Sequence, residues 1–440
     1  MKPKNMRAKK SKVPSIRNAR RVRSAAPKLR YGPIIACQIC KSPKLRLIVS
    51  FGHQPPVQSY LTAGQLQEPE TGYPDDLVRC EDCGLVQINH AVDPRIVFPR
   101  EYPYQSGMTK LLRDNFAQLA EAVSQRVALA STDLVVDIGS NDGTLLQGFK
   151  ARGLRVLGVE PTGIAMIARK NGIPTVNKFF SEEVARQIVA EQGKARVITA
   201  ANVFAHVYDL TSMVRGIKAL LAPNGVFVSE SHYLADLIDD VQYDTIYHEH
   251  LRFYHLKPLL KLLSNFGFAA IDVEQIAPHG GSIRVFAVKD QTAKPSDRLM
   301  SLLRREEELG LNGPEAYERF RERVVQSKRK LLSLLLGIRA EGGRIVGIGA
   351  PARASMLVNY CRLDTDLVDY IVEPRGSLKV GLFMPGSHIP IVEESRMLEE
   401  QPSHALLLSW HIGKDLMAKL PTLGYRGKFI MPLPDPRVIG

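Results

Sequence analysis

The stretch Leu134-Val-Val-Asp137-Ile-Gly139-Ser-Asn141-Asp142-Gly143-Thr-Leu-Leu146 decides the fold. Leu134 to Asp137 reads as a buried strand, the glycines as a tight turn, and Thr144 onward as a helix whose first N–H groups lack partners. Gly139 and Gly143 permit close approach of a ligand to the backbone. The next strand, Arg155–Glu160, ends in a carboxylate placed to accept hydrogen bonds from two ribose hydroxyls. A dinucleotide turn would read G-x-G-x-x-G, with the pyrophosphate drawn onto the helix. Here the run is D-x-G-x-N-x-G, and Asn141 and Asp142 crowd the place of a pyrophosphate. The pattern points to a nucleoside without phosphates, S-adenosylmethionine (SAM), with Asp137 facing its methionine part. Asn202, after a later strand, joins Asp137, Gly139, Asn141, Asp142, Gly143 and Glu160 in the expected cofactor set.

Outward from this loop, β-branched runs alternate with helical patterns. Candidate strands are Leu134–Asp137, Arg155–Glu160, Ile173–Val176, Arg196–Ala200 and Gly225–Glu230, then a hairpin of Ile271–Ile276 and Ser282–Lys289. Strands separated by helices imply crossovers and a mostly parallel, Rossmann-like sheet. A charged helical segment, broken near Gly310–Pro314, leads to a second α/β half with strands Arg344–Ile348, Leu367–Val372, Ala405–Ser409 and Lys428–Met431. The expected organisation is a disordered basic tail at 1–30, a small loop-rich module at 31–100 and a SAM domain at 101–290. A helical connector follows at 291–340 and a C-terminal α/β domain at 341–440.

The module contains Cys37-Gln-Ile-Cys40 and Cys80-Glu-Asp-Cys83. Two C-x-x-C turns supply the four thiolates of a tetrahedral zinc site, and a site with no open position is structural. Gly84 follows the second pair, as such a turn often requires. Zinc would replace the hydrophobic core that so short a module cannot build. Cys361 stands apart and reads as a small buried residue.

A third constellation is Tyr243-Asp-Thr-Ile-Tyr247-His248-Glu249-His250-Leu-Arg252-Phe-Tyr254. The spacing is not H-E-x-x-H, which argues against a zinc protease. An extended backbone would set His248 and His250 on one side, whereas a helix would separate them by about 200°. His206, after the fourth strand of the sheet, should approach the same crevice.

With these motifs in one order, the sequence resembles the SAM-dependent sugar C-methyltransferases that act on nucleotide-linked keto-deoxysugars. The resemblance covers nearly all of residues 34–440 and extends to His279-Gly-Gly-Ser-Ile-Arg284, Gly347-Ile-Gly349-Ala-Pro-Ala-Arg353 and Met384-Pro-Gly-Ser-His388-Ile-Pro390. It implies an enzyme with a zinc module, a Rossmann-like SAM domain and a C-terminal Rossmann-like domain for the nucleotide sugar. It implies His250 as the base that removes a proton next to a ketone. Tyr247 and His206 would bind the developing oxyanion, and Glu249 would orient or tune the group. His248, His279, Arg284, Arg353, Lys379 and His388 are candidate substrate contacts, the basic ones for a diphosphate, and Ala350-Pro351-Ala352 offers backbone N–H groups beside them. Tyr104 and Ser106 match a segment that closes over SAM.

Composition narrows the alternatives. The net charge is +14, and residues 1–30 hold six Lys, six Arg and no acid, so that tail supplies +12 and the remainder only +2. The tail has no apolar core for secretion and reads as a solvated basic extension. The module between 68 and 82 carries six acidic side chains, which argues against nucleic acid as partner. No apolar stretch reaches the ~20 residues that cross a bilayer. A dehydrogenase would need G-x-G-x-x-G, which neither α/β half contains. A non-sugar substrate on the same scaffold stays open. The expected partner is a small molecule, and the chain is expected to be cytoplasmic and to act as a monomer or weak dimer.

Overall fold

The computed structural model describes residues 31–100 and 105–440. The basic tail and Tyr104 lie outside the described residues. Among the described residues there are nineteen strands, beginning with the short β1 (Gly32–Pro33). The module holds β2 (Leu45–Gln54), β3 (Tyr73–Cys80), β4 (Val86–Ile88) and β5 (His90–Ala91), the last paired with β1. The central sheet comprises β6 (Leu134–Ile138), β7 (Arg155–Val159), β8 (Thr175–Val176), β9 (Ala195–Ala201) and β10 (Leu221–His232). After β11 (Arg252–Phe253) it is completed by β12 (Ala269–Ile276) and β13 (Ser282–Val288). The C-terminal sheet comprises β14 (Ile345–Ile348), β15 (Ile371–Glu373), β16 (Ile391–Glu393), β17 (His404–Leu407), β18 (Lys428–Met431) and β19 (Arg437–Ile439).

The central sheet runs β12-β13-β10-β9-β6-β7-β8. Its parallel core is buried on both faces, which is why Leu134–Ile138 carries no polar alternation before Asp137. β6 pairs in parallel with β7 on one side and β9 on the other, so strand order reverses there. That reversal opens a crevice beyond the carboxyl ends of the strands. The expected hairpin is present as antiparallel β12 and β13. The C-terminal sheet runs β16-β15-β14-β17-β18-β19 and reverses in the same way beside β14. The fold is thus the expected mixed α/β, with two Rossmann-like sheets.

Between them lie helices Asp297–Glu308 and Glu315–Ala340, broken at the expected glycine and proline. The longer buries Tyr317, Phe320, Val324, Leu331, Leu335 and Ile338, spaced to form one apolar stripe. Ser181, Asp209 and Ser296 accept a backbone N–H at the start of their helices, each offsetting an orphan donor. No helix among the described residues is long and apolar enough to cross a membrane.

The module is less loop-rich than its composition suggests. It forms a four-stranded sheet of order β11-β4-β3-β2. The fourth strand, β11, is donated by the chain immediately after His250, with Arg252 opposite Gln87 and Phe253 opposite Val86.

Candidate active site and zinc centre

The cofactor crevice begins where β6 ends. Gly139 and Gly143 both adopt left-handed backbone, at φ 71° and 83°. A Cβ on Gly139 would overlap Val203 Cγ2, and one on Gly143 would lie 2.8 Å from Ile173 Cγ1. The turn therefore needs glycine for packing against the protein as well as for any approaching ligand. Asn141, at φ 49°, donates its N–H to Glu160 Oε2 at 3.1 Å, and Glu160 Oε1 accepts from Thr162 N and Oγ1. The segment 105–108 lies on this loop: Ser106 N donates to Asn141 Oδ1 and Gly107 N to Asp142 Oδ2, both at 2.8 Å.

Asp137 is almost fully buried and accepts from Thr199 Oγ1 at 2.6 Å, its register partner on β9. Burial pushes its carboxyl up to about 7, against the lowering effect of Thr199. One oxygen is thus committed to the sheet and not to a ligand. Asn202, at φ 55°, ends β9 with its N–H on Glu230 O, leaving its buried Oδ1 without a hydrogen-bond partner. Ser140 Oγ is orphaned in the same way. Unpaired buried polar atoms are costly unless a ligand meets them. The carboxyl edge, with Glu160, Asn202 and Ser140, therefore fits a bound nucleoside and amino acid.

Next to this edge stand four imidazoles. Val203 packs on Gly139 and its carbonyl accepts the N–H of His206, which ties the second loop to the first. The His206 ring lies 4.8 Å from that of His250, with Phe98 stacked on it at 5.6 Å. Tyr247 lies 4.3 Å from His250, His232 5.0 Å, and His279 5.3 Å beyond His232, all between centroids. His250 Nδ1 meets Thr245 O at 2.6 Å. A carbonyl can only accept, so Nδ1 carries the proton and Nε2 holds the free lone pair. Burial lowers His250 and His279 to about 4, and holds His206 and His232 well below the ordinary imidazole range. All four are neutral at pH 7. His232 was not foreseen, because the strand was expected to end at Glu230, two residues early. A polar side chain at the same edge as Glu160 and Asn202 is the signal for it.

Other candidates are placed differently. A turn closed by His250 N on Tyr247 O sends His248 the opposite way from His250. Its Nε2 donates to Pro74 O at 3.0 Å in the module, so the backbone is not extended here and His248 does not join the cluster. Glu249 is buried, and its charge acts on Tyr60 and Lys379 rather than on His250. Arg284 is sealed in the sheet: Nε and Nη2 reach Glu230 Oε2 at 3.1 Å, Nη1 reaches Glu274, and Nη2 also reaches Asn115. Fully paired and 2% exposed, it is not placed to meet a diphosphate. His388 is half exposed and meets Glu70 at 3.1 Å.

Arg353 and Lys379 sit at the turn after β14. Arg353 grips buried Asp244 through two bonds of 2.8 and 2.9 Å, and lies 4.7 Å over Trp410, whose Nε1 also donates to Asp244. Its charge helps hold His250 and His279 low. Lys379 Nζ and Tyr60 OH both donate to Ala350 O at 2.6 Å. Burial lowers this ammonium. Ala350 N–H is spent on Glu373, so the turn's first donor is not free for a phosphate.

The four module cysteines bring their sulfurs within 4.8 Å of one another. Cys37 and Cys83 approach to 3.5 Å, as do Cys40 and Cys80. Ile39 N and Cys40 N point at Cys37 Sγ, as the turn of a metal knuckle requires. The residue after each pair is left-handed: Gly84 at φ 81°, and Lys41 at φ 65°. Four soft thiolates at this spacing fit tetrahedral zinc.

Three family models match the chain in turn. Residues 37–98 match the family described as "Putative zinc binding domain", 104–273 a methyltransferase domain, and 277–434 a C-methyltransferase C-terminal domain. The C-methyltransferase NovU of Streptomyces niveus is 32% identical over 412 residues, 92% of this chain and 97% of NovU. Among solved structures, magnesium protoporphyrin IX methyltransferase of Synechocystis PCC 6803 with bound SAH is 14% identical, with a TM-score of 0.32, over 40% of this chain and 83% of that one. The CcbJ methyltransferase of Streptomyces caelestis is 14% identical, with a TM-score of 0.31, over 40% of this chain and 89% of that one.

Proposed function

The chain belongs to a SAM-dependent C-methyltransferase family with a zinc-binding module, and from that premise we propose that it methylates a carbon beside the ketone of a nucleotide-linked keto-deoxysugar. The observation that carries this reading is the Nδ1–H bond of His250 to Thr245 O, inside a cluster of neutral imidazoles. It leaves Nε2 as a base in a site from which most water is excluded. It is unprotonated at pH 7 and so open to a proton from a C–H acidified by a neighbouring carbonyl.

Bound SAM supplies a sulfonium methyl that accepts a carbon nucleophile. The chain's own residues do the rest. His250 Nε2 takes the proton. His206 and Tyr247, both within 5 Å of the His250 ring between centroids, hold the charge that grows on the carbonyl oxygen. Asp244, clamped by Arg353 and Trp410, fixes the backbone that presents Thr245 O to His250. Alignment is the main demand of methyl transfer, and these buried contacts provide it. The nucleotide part is assigned to the C-terminal half, along the turn after β14, with Arg353 and Lys379 as its cationic neighbours. Ser106 and its segment close the cofactor side.

The test is incubation with methyl-¹³C SAM and a panel of nucleotide-linked 4-keto-deoxysugars, followed by NMR of the product. The reading expects a methyl carbon bonded to the carbon next to the ketone. A methyl on oxygen, or no panel member consumed, contradicts it.

A further inference from the structure

Arg252 is 1% exposed and bonds only to neutral acceptors. Its guanidinium reaches the carbonyls of Phe204, Ala205, Val207 and Tyr208 in the loop that carries His206. The same group bonds Gln38 Oε1 at 2.5 Å. Gln38 directly follows Cys37, in the turn between the first two zinc-site cysteines. Its side-chain N–H reaches Leu251 O at 3.4 Å, and its backbone N–H reaches Gln87 Oε1 at 2.9 Å. Gln87 is the strand partner of Arg252, and Ile88 N donates to Leu251 O. Leu251 N in turn donates to Ala205 O. One knuckle residue, one arginine and one short strand therefore touch the loops on both sides of the imidazole pair.

A buried cation needs a compensating charge. Arg252 has none among its hydrogen-bond partners, and Cys37 and Asp209 are the anionic groups whose charge acts on it. Four thiolates around a divalent ion carry a net charge of about −2, which suits this position.

We infer that Arg252 and Gln38 are positioning residues that fasten the loops of His206 and His250 to the zinc knuckle, so that the metal site sets the geometry of the imidazole cluster. Zinc here does more than hold the module together: it anchors the strap on which the reactive histidines are mounted. Only the consequence for rate rests on the proposed reaction, and the fastening itself is tested without substrate.

The test uses full-length, zinc-loaded protein with ¹³Cε1-labelled histidine. Gln38→Ala leaves all four cysteines in place, and Arg252→Lys keeps the charge but loses the fork. In both, the signals of His206 and His250 are expected to shift or broaden while those of His388 and His404 stay. Chelating zinc from the wild type should move the same two signals. With the proposed substrate, Gln38→Ala should lower kcat roughly ten- to a hundredfold, since small misalignments cost that much, with SAM affinity unchanged. His206 and His250 signals at wild-type positions in zinc-loaded Gln38→Ala would overturn the inference, whatever the substrate proves to be.

Discussion

Asp244→Asn puts the packing of the loop that carries His250 against the C-terminal half to a direct test. Asp244 is fully buried and accepts two bonds from Arg353 and one of 2.7 Å from Trp410. Arg353 is itself 6% exposed. Removing one partner of a buried ion pair costs about 3–5 kcal/mol, because the other charge is left uncompensated. Asparagine keeps one acceptor oxygen but turns an NH₂ toward a guanidinium that also donates. A loss near the lower bound, about 3 kcal/mol, is therefore expected. Arg353→Met alone should cost a similar amount, with the stacking on Trp410 lost as well. The double variant should recover at least about 1 kcal/mol of the sum, as neighbours that share one interaction do. The chain has a single tryptophan, so its fluorescence reports this contact without labelling. Urea unfolding followed by Trp410 emission gives the stability change, and the native emission maximum gives the local rearrangement. Asp244 directly precedes Thr245, so the substitution should also slow proton removal while SAM affinity holds. An Asp244→Asn chain within about 1 kcal/mol of the wild type, with native emission unchanged, would refute the argument.

Metal analysis of reduced, freshly purified protein should find one zinc per chain. Its removal should release the four module thiols to titration, and metal-free protein that keeps them unreactive would contradict the site. Gly139→Ala forces a left-handed backbone on alanine, costing about 1–2 kcal/mol, and adds overlap with Val203. Calorimetry should show SAM affinity reduced at least tenfold, and unchanged affinity would count against the turn as the cofactor cradle. His250, lowered by burial from 6.5 to about 4, should stay neutral in an NMR titration down to pH 5. Its folded value lies below the unfolded one, so unfolding takes up a proton. The stability it contributes, on the order of 3 kcal/mol, is complete above pH 6.5 and is lost as pH falls toward 4. Asp137 and Glu306, pushed up to about 7 by burial, act in the opposite sense, their contribution fading as pH rises through 7. A midpoint for His250 near 6.5 would contradict its burial.

The parts of the structure readable from sequence were those whose chemistry is local. Four cysteines in two short pairs fix a metal site without knowledge of the fold. The Gly139–Gly143 turn is read from one strand and the start of one helix. What escaped depends on register. β2 hides its alternation because its pairing with β3 shifts between Leu47 and Val49 and again between Ser50 and His53. Arg284 looks available in a glycine-rich hairpin. Only the pairing of β13 with β10 and β12 sets Glu230 and Glu274 opposite it and closes it off. His248 and His250 diverge because of one backbone bond, His250 N to Tyr247 O, which no spacing rule foretells. The short strand Arg252–Phe253 was invisible for a related reason: its partner lies more than 160 residues away in the module.

Exchange of substrate hydrogen in heavy water, with SAM left out, isolates the step on which the account depends. A nucleotide-linked 4-keto-deoxysugar incubated with wild-type protein should take up deuterium next to the ketone, and His250→Ala should abolish that uptake while still binding SAM. Deuterium entering at the wild-type rate in His250→Ala would show that another group removes the proton.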